Sequence, residues 1–362
     1  MLDYFPESLL MLILVRLPVK SLFCFRCVSK MFRSLFSDIF ITTLINNNHD
    51  NDDDKGYHLI YHSSGHYSLH HPKTYDEYFR FKIPSGTPSL LVNSCNGLCC
   101  LFEPPNVVVL WNPLFRKFLR LPEPLVPERI GVSELFQYAH GLGFDQRNND
   151  YKVVRLVYRR RPRELYHMIE RDGLVILPGE AEVYSLSERC WRIVNGPMAW
   201  VLDTPYPRRI NGPMRWAPKT LLPAYVNGVI HWVCIEGLLL FDVSDEVFRQ
   251  MKLPGGLTFR VQAIAACRGT LLACDCKDDR YGVWVMKEYG VAESWIKHAV
   301  IYDPNEMIRW PVSLSSGGEL LVSTRNGEFL FCDGQPQETK KLGDVYLDKC
   351  TNHSHILFEE EG

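Results

Sequence analysis

Four histidines recur at every fourth position in the stretch YHLIYHSSGHYSLHH: His58, His62, His66 and His70. On a helix that spacing would line one face with imidazole nitrogens, the arrangement of a metal site. Gly65, the flanking serines and the alternating tyrosines favour two strands and a turn instead, so no metal is expected. Cys95 with Cys99 and Cys100, and Cys274 with Cys276, could supply thiolates, yet they lack the paired C-x-x-C spacing of a zinc site and read as strand residues. The chain contains no G-x-S-x-G, no G-x-G-x-x-G and no H-E-x-x-H, so no catalytic residue and no cofactor is assigned. One further cluster remains. YRRRPRELYHMIERDG, Tyr158 to Gly173, concentrates five arginines that suit a phosphate or an acidic protein surface, although most such runs are solvated loops.

The elements that must position these groups fall into two regions. The 362 residues exceed the needs of one small core, and 46% hydrophobic with 23% charged residues is an ordinary globular balance. A net charge of -2 supplies no global field for nucleic acid or an anionic membrane, so binding must come from local surfaces. Twelve cysteines spread over this length, behind an opening that lacks a basic leader, point to a reducing cytoplasmic or nuclear compartment.

The first region, residues 1–45, reads as helical. Pro6 and Glu7 suit a first turn, and the following apolar run continues to Pro18 with Leu9, Leu10, Ile13, Leu14 and Leu17 on one broad face. After Pro18, VKSLFCFRCVSKMFRSLF carries more large apolar side chains than two short helices can cover. A piece this small does not usually fold alone, so the surplus implies a partner. NNNHDNDDDKG then breaks all periodicity and marks an acidic linker over residues 46–56.

From residue 57 to 362 the pattern changes to short apolar runs separated by Gly, Pro, Asn and Asp. Asn96-Gly97 and Asn227-Gly228 are strong two-residue hairpin signals. Gly228, Gly269 and Gly318 stand at comparable places, 41 and 49 residues apart, the repeat length of a propeller blade. Trp111, Tyr184, Phe241, Trp284 and Phe329 are expected at equivalent positions of five hairpins. The fold expected is mainly β: N-terminal helices followed by a kelch-like β-propeller of six or seven blades.

FPESLLMLILVRLPVKSLFCFRCVSKMFRSLF resembles the F-box of plant F-box proteins. NSCNGLCCL, LWNPLFRKFLRLP, GLGFDQRNNDYKVVRL, AEVYSLSERCWRIV, VNGVIHWV and VWVMKEYGVAESWIK resemble, in the same order, segments of the F-box-associated interaction domain, a group that includes kelch-like and S-locus F-box proteins. The resemblance implies a non-catalytic substrate receptor of an SCF-type ubiquitin ligase. An F-box docks on a Skp-family adaptor and through it on a cullin, while the C-terminal domain holds a protein substrate. Carried over from the motif, the adaptor-binding residues are Phe5, Pro6, Leu9, Leu10, Ile13, Leu14, Leu17, Pro18, Val19, Leu22, Val28 and Phe32. Phe5 and Phe32 stand where the family usually has Leu and Trp, which keeps the apolar character. The longest irregular stretches, Arg159 to Glu180 and Asn195 to Leu222, are expected to read the target, with Arg159, Arg160 and Arg161 facing an acidic patch and Trp200 or Trp216 filling a pocket. No nucleic acid and no membrane is expected among the partners. The alternative is a propeller enzyme or sugar-binding propeller with an unrelated N-terminal extension.

Overall fold

Two tight turns set the register of the chain where they occur. Asn96 and Gly97 have φ of 45° and 73°, and Asn227 and Gly228 have 50° and 77°, the paired positive values a type I′ turn requires. Each joins the first two strands of a four-stranded antiparallel sheet, as the sequence predicts.

The computed structural model describes residues 57–63, 66–70, 77–82, 90–103, 106–112, 117–126, 135–162, 174–196, 222–234, 237–253, 261–267, 269–277, 280–302, 308–314, 320–324, 329–332, 339–341 and 355–359. The expected helices and acidic linker of residues 1–56, and Gly318, lie outside them.

Blade 1 contains β1 (Tyr57–Ser63), β2 (His66–His70) and β3 (Glu77–Lys82). Blade 2 is β4 (Leu90–Cys95), β5 (Leu98–Glu103), β6 (Val107–Asn112) and β7 (Lys117–Arg120). Blade 3 is β8 (Leu135–Asp145), β9 (Asp150–Pro162), β10 (Leu174–Ser185) and β11 (Cys190–Val194). Blade 4 is β12 (Ala224–Val226), β13 (Val229–Cys234), β14 (Gly237–Asp242) and β15 (Val247–Met251). Blade 5 is β16 (Val261–Cys267), β17 (Thr270–Lys277), β18 (Arg280–Met286) and β19 (Trp295–Tyr302). Blade 6 is β20 (Ile308–Leu314), β21 (Leu320–Thr324), β22 (Phe329–Cys332) and β23 (Thr339–Lys341), and β24 (His355–Glu359) returns to pair with β1, completing blade 1. The histidines at every fourth position lie on the β1/β2 strand pair, with Leu59 opposite His70 and His62 opposite Tyr67.

The innermost strands β24, β4, β8, β12, β16 and β20 each contact the next, and β20 contacts β24. Among the described residues the ring therefore has six blades and is closed by the chain's last strand. In blade 1, whose inner strand is β24, the β1–β2 turn is a second-to-third turn and lies on the face opposite the β2–β3 turn. In blades 2 to 6 the first-to-second and third-to-fourth turns share one face, and the second-to-third turns and the inter-blade connections share the other.

The expected equivalence of the five aromatics holds in part. All five lie on the third strand of a blade. Trp111, Tyr184 and Phe241 are buried and stand opposite Phe118, Trp191 and Phe248 of the fourth strands. In blade 5, counting from the turn assigns that place to Met286, which is fully buried opposite Trp295, and Trp284 lies two residues farther along. In blade 6 that place, opposite Leu320, belongs to Cys332, and Phe329 stands opposite Ser323, three residues away. Hydrophobic alternation identifies the face, and the two-residue offset of Trp284 preserves that face.

Contacts between blades are both apolar and specific. Cys100, Val108 and Leu110 of blade 2 pack with Leu142, Val153 and Tyr184 of blade 3, and Ile230, Trp232 and Phe241 of blade 4 pack with Val154, Leu156 and Val183. Asn93 sits at a register shift in β4 and spans to β8, its Nδ2 donating to the Leu142 carbonyl and its Oδ1 accepting from the Leu142 N–H, both at 2.8 Å. The indole Nε1 of Trp232 donates to the His140 carbonyl at 3.1 Å, and the Tyr225 hydroxyl donates to the Phe144 carbonyl at 2.9 Å. This closeness explains the glycines of GLGF. A Cβ on Gly141 would lie 2.7 Å from Ile230 and 2.8 Å from Trp232, and one on Gly143 would lie 2.5 Å from Val243.

Buried histidines complete two of the interfaces. The ring of His231 lies between blades 4 and 5, with Nδ1 3.1 Å from the Ala224 carbonyl and Nε2 3.2 Å from the Tyr289 hydroxyl. Burial lowers its pKa to about 4, and burial followed by the charge of Arg155 lowers that of His140 to about 3.

Two outcomes are expected. Gly141→Ala should lower the urea midpoint at unchanged m, by about 1–3 kcal/mol of stability, because the Trp232 indole has to move. Stability should also fall with acidification. In the unfolded chain these histidines protonate near 6.5, but the folded chain resists, so stability is full above 6.5 and is lost as pH falls towards 4 for His231 and 3 for His140. Each contributes a slope of up to about 1.4 kcal/mol per pH unit in that window. Urea midpoints at pH 7, 6 and 5 check this, with His231→Gln expected to flatten the slope.

Candidate functional site

Three of the four strands of blade 3 are longer than their neighbours. β8, β9 and β10 have 11, 13 and 12 residues, where β13 and β14 of blade 4 have six each. The fourth strand β11 covers β10 only from Ala181 to Ser185, so the added length of β10 lies at the opposite end, on the face of the second-to-third turns. At ~3.3 Å per residue the excess reaches roughly 20 Å.

Arg159, Arg160 and Arg161 lie on this extension. They were expected in an irregular stretch running to Glu180, and here the structure differs. They are residues of β9 opposite Leu177, Ile176 and Val175 of β10, and the strand runs to Pro162. Pro178 and Gly179 suggest a loop in the sequence, but they form a bulge: register jumps between Leu177 and Glu180, so two residues oppose Tyr158 alone. Proline lacks the N–H that ladder pairing needs, and a bulge is where a strand tolerates that lack. Residues 163–173 at the tip, Trp200 and Trp216 all lie outside the described residues, as do the twelve residues assigned to the adaptor.

Charge holds the base of this hairpin. Arg155 and Glu182 stand opposite each other on β9 and β10, both fully buried, and form an ion pair. The guanidinium also donates to the Val126 carbonyl at 3.2 Å and to Asn106 Oδ1 at 2.9 Å, and it stacks 4.4 Å above the Tyr138 ring. Glu182 Oε2 accepts from the N–H groups of Leu125 at 2.6 Å and Val126 at 3.0 Å. The connection between blades 2 and 3 is thus clamped on the hairpin's base, and the Trp191 indole fixes it again through the Pro122 carbonyl at 2.8 Å. Sequence reasoning missed this clamp. The signal was a lone cation inside VVRLV and a lone carboxylate inside AEV, charges that a strand core excludes unless paired.

The other face is stapled as well. Lys152 Nζ donates to Asp145 Oδ2 at 2.6 Å, Glu246 Oε1 at 2.8 Å and the Val243 carbonyl at 2.9 Å, and Arg192 pairs with Glu246. Burial opposes ionisation of Asp145 and Glu246, but hydrogen bonds outweigh it and hold both carboxyls below their usual range. Burial likewise opposes charge on Lys152, and its hydrogen bonds to Asp145 and Glu246 raise its pKa on balance. The buried thiols of Cys99 and Cys100 are pushed up, the latter to about 12. Every resolved shift among the described residues moves its group away from neutrality.

Comparison with known proteins gives two matches along the chain. Residues 82–356 match the F-box associated beta propeller domain, and residues 2–42 match the F-box domain. An F-box/kelch-repeat protein of Arabidopsis thaliana is 25% identical over 90% of this chain and 87% of its own length. The F-box protein CPR1 of the same plant is 25% identical over 73% of this chain and 65% of its own. Among solved structures, a chain of a nidogen/laminin complex aligns with a TM-score of 0.42 and 12% identity, over 85% of this chain and 100% of that one.

Removing one half of the buried clamp should be costly. Arg155→Leu leaves Glu182 charged or reprotonated without its partner and should destabilise by about 3–5 kcal/mol, whereas Arg155→Met with Glu182→Leu should recover part of that loss, the remainder being the Val126 N–H left without its acceptor. Thermal unfolding of the two variants beside the unaltered chain checks the difference.

Proposed function

Because the chain belongs to the F-box associated β-propeller family, we propose that it is the substrate-recognition subunit of an SCF-type ubiquitin ligase. Residues 1–45 dock on a Skp-family adaptor and through it on a cullin, residues 46–56 form the linker, and the propeller from residue 57 captures a target protein. The observation that supports this most is the pairing of an F-box match at residues 2–42 with a propeller match at residues 82–356 in one chain.

The adaptor surface under this reading is Phe5, Pro6, Leu9, Leu10, Ile13, Leu14, Leu17, Pro18, Val19, Leu22, Val28 and Phe32. Burying one Leu or Phe contributes roughly 1.5–3 kcal/mol, so a handful of these is enough for tight association after its entropic cost. Under this reading the propeller's part is binding, and the shifts away from neutrality at Cys100, His140 and His231 suit a rigid scaffold. Its compartment is the cytoplasm or nucleus.

Leu14→Asp together with Leu17→Asp places charges where the docking helix buries its face, at a cost of several kcal/mol. Co-expression with a Skp-family adaptor should show co-purification of the unaltered chain and its loss in the double variant, with the propeller still folded by circular dichroism. Normal co-purification of the variant would contradict the assignment.

A further inference from the structure

A strand that outruns its neighbour leaves a row of backbone N–H and C=O groups, and such a row is a template for another strand. β10 outruns β11 on the extended hairpin. β9 covers one edge along Leu174–Leu177, whereas β11 reaches only to Ala181 on the other. Among the described residues no strand lies beside the outer edge of Leu174–Leu177. The sequence there, LVIL, contains none of the charges or prolines that commonly blunt an exposed edge; the first proline is Pro178, at the bulge.

Charge identifies what fits beside it. Arg159, Arg160 and Arg161 oppose Leu177, Ile176 and Val175, and three consecutive strand positions fall on both faces of the hairpin. A strand added to β10 would lie two strand spacings from β9, about 10 Å, within one Debye length at moderate salt. With a net charge of -2 for the whole chain, this attraction is local to the hairpin.

We propose that the outer edge of Leu174–Leu177 receives an extended acidic segment of the target protein, which adds as a further strand to blade 3 while its carboxylates meet Arg159, Arg160 and Arg161. Main-chain hydrogen bonds give affinity and the arginines select for charge, the division of work seen wherever a peptide augments a sheet. The inference rests on the substrate-receptor reading and names the class of segment that the receptor takes.

The test uses the full chain co-purified with a Skp-family adaptor and two labelled ten-residue peptides, one alternating Glu with Val and one alternating Lys with Val. The acidic peptide should bind at least tenfold more tightly by fluorescence anisotropy, and its affinity should fall as salt rises. Arg159→Ala with Arg160→Ala and Arg161→Ala should weaken it at least tenfold. Amide exchange within residues 174–177 should slow when the acidic peptide is added to the unaltered chain, a readout that stands even where the triple variant fails to fold. Equal binding of both peptides, or no slowing at 174–177, overturns the proposal. So does slow exchange, before any peptide is added, at those amides of 174–177 that do not point at β9, which would mean that the chain itself covers the edge, and so does protection that rises with protein concentration, which would mean a second copy does. Adaptor co-purification reads the receptor assignment separately: its persistence without peptide binding removes this inference alone, and its absence removes the assignment beneath it.

Discussion

A blade with two apolar faces cannot stand by itself, and everything in this molecule follows from that constraint. Cys99 and Leu101 alternate with Cys100 along β5, and all three are buried, because blades cover both faces of that sheet. Each sheet is therefore stable only as the filling between two others, and a linear stack would leave its first and last faces wet. Closing the ring removes both ends at once. The strand that closes it, β24, comes from the far end of the sequence and pairs with β1 through residues His355 to Glu359. Such a contact forms only after a loop of some three hundred residues has closed, an entropic cost that grows slowly with length and is offset by the two faces it buries.

The same constraint decides where polar groups are used. Side chains of blade 4 press on the backbone of β8, so Gly141 and Gly143 admit Trp232 and Val243, while Asn93, Tyr225 and Trp232 hydrogen-bond to carbonyls of β8. These bonds act across blades, where no ladder exists to satisfy those groups. Area burial holds the blades together, and the directional bonds set their registry, since apolar contact alone tolerates sliding by a residue pair.

Much of this was legible in the residues, for reasons that can be named. Asn96-Gly97 and Asn227-Gly228 announce their hairpins because few other residue pairs accept positive φ twice in succession. The aromatics of the third strands were legible as a face, but Trp284 was not placeable along it, because alternation repeats every two residues and leaves the offset open. The arginine run misled for a different reason. Proline and glycine at 178 and 179 are ordinary loop signals, and a polar, basic run beside them resembles a surface loop; only pairing with Leu174–Leu177 shows that both flanks continue as strand. The pairing of Arg155 with Glu182, 27 residues away, could not be read from either neighbourhood, since long-range partners leave no periodic trace.

That buried pair also explains how a projecting hairpin is held by a fold whose strands are otherwise committed to packing. A projection of roughly 20 Å acts as a lever on the blade that bears it, so its base has to resist bending. An apolar base of the same volume would be at least as stable as a buried ion pair, because desolvation consumes most of the Coulombic gain. What the pair adds is direction. Arg155 is tied at once to Glu182, Val126, Asn106 and the Tyr138 ring, and Glu182 to two amides of the connecting segment. The hairpin, blade 2 and the connection between them are thereby fixed in one mutual orientation. A segment bound beside it under the proposal above would meet an edge whose position is set before it arrives, which lowers the ordering cost of binding.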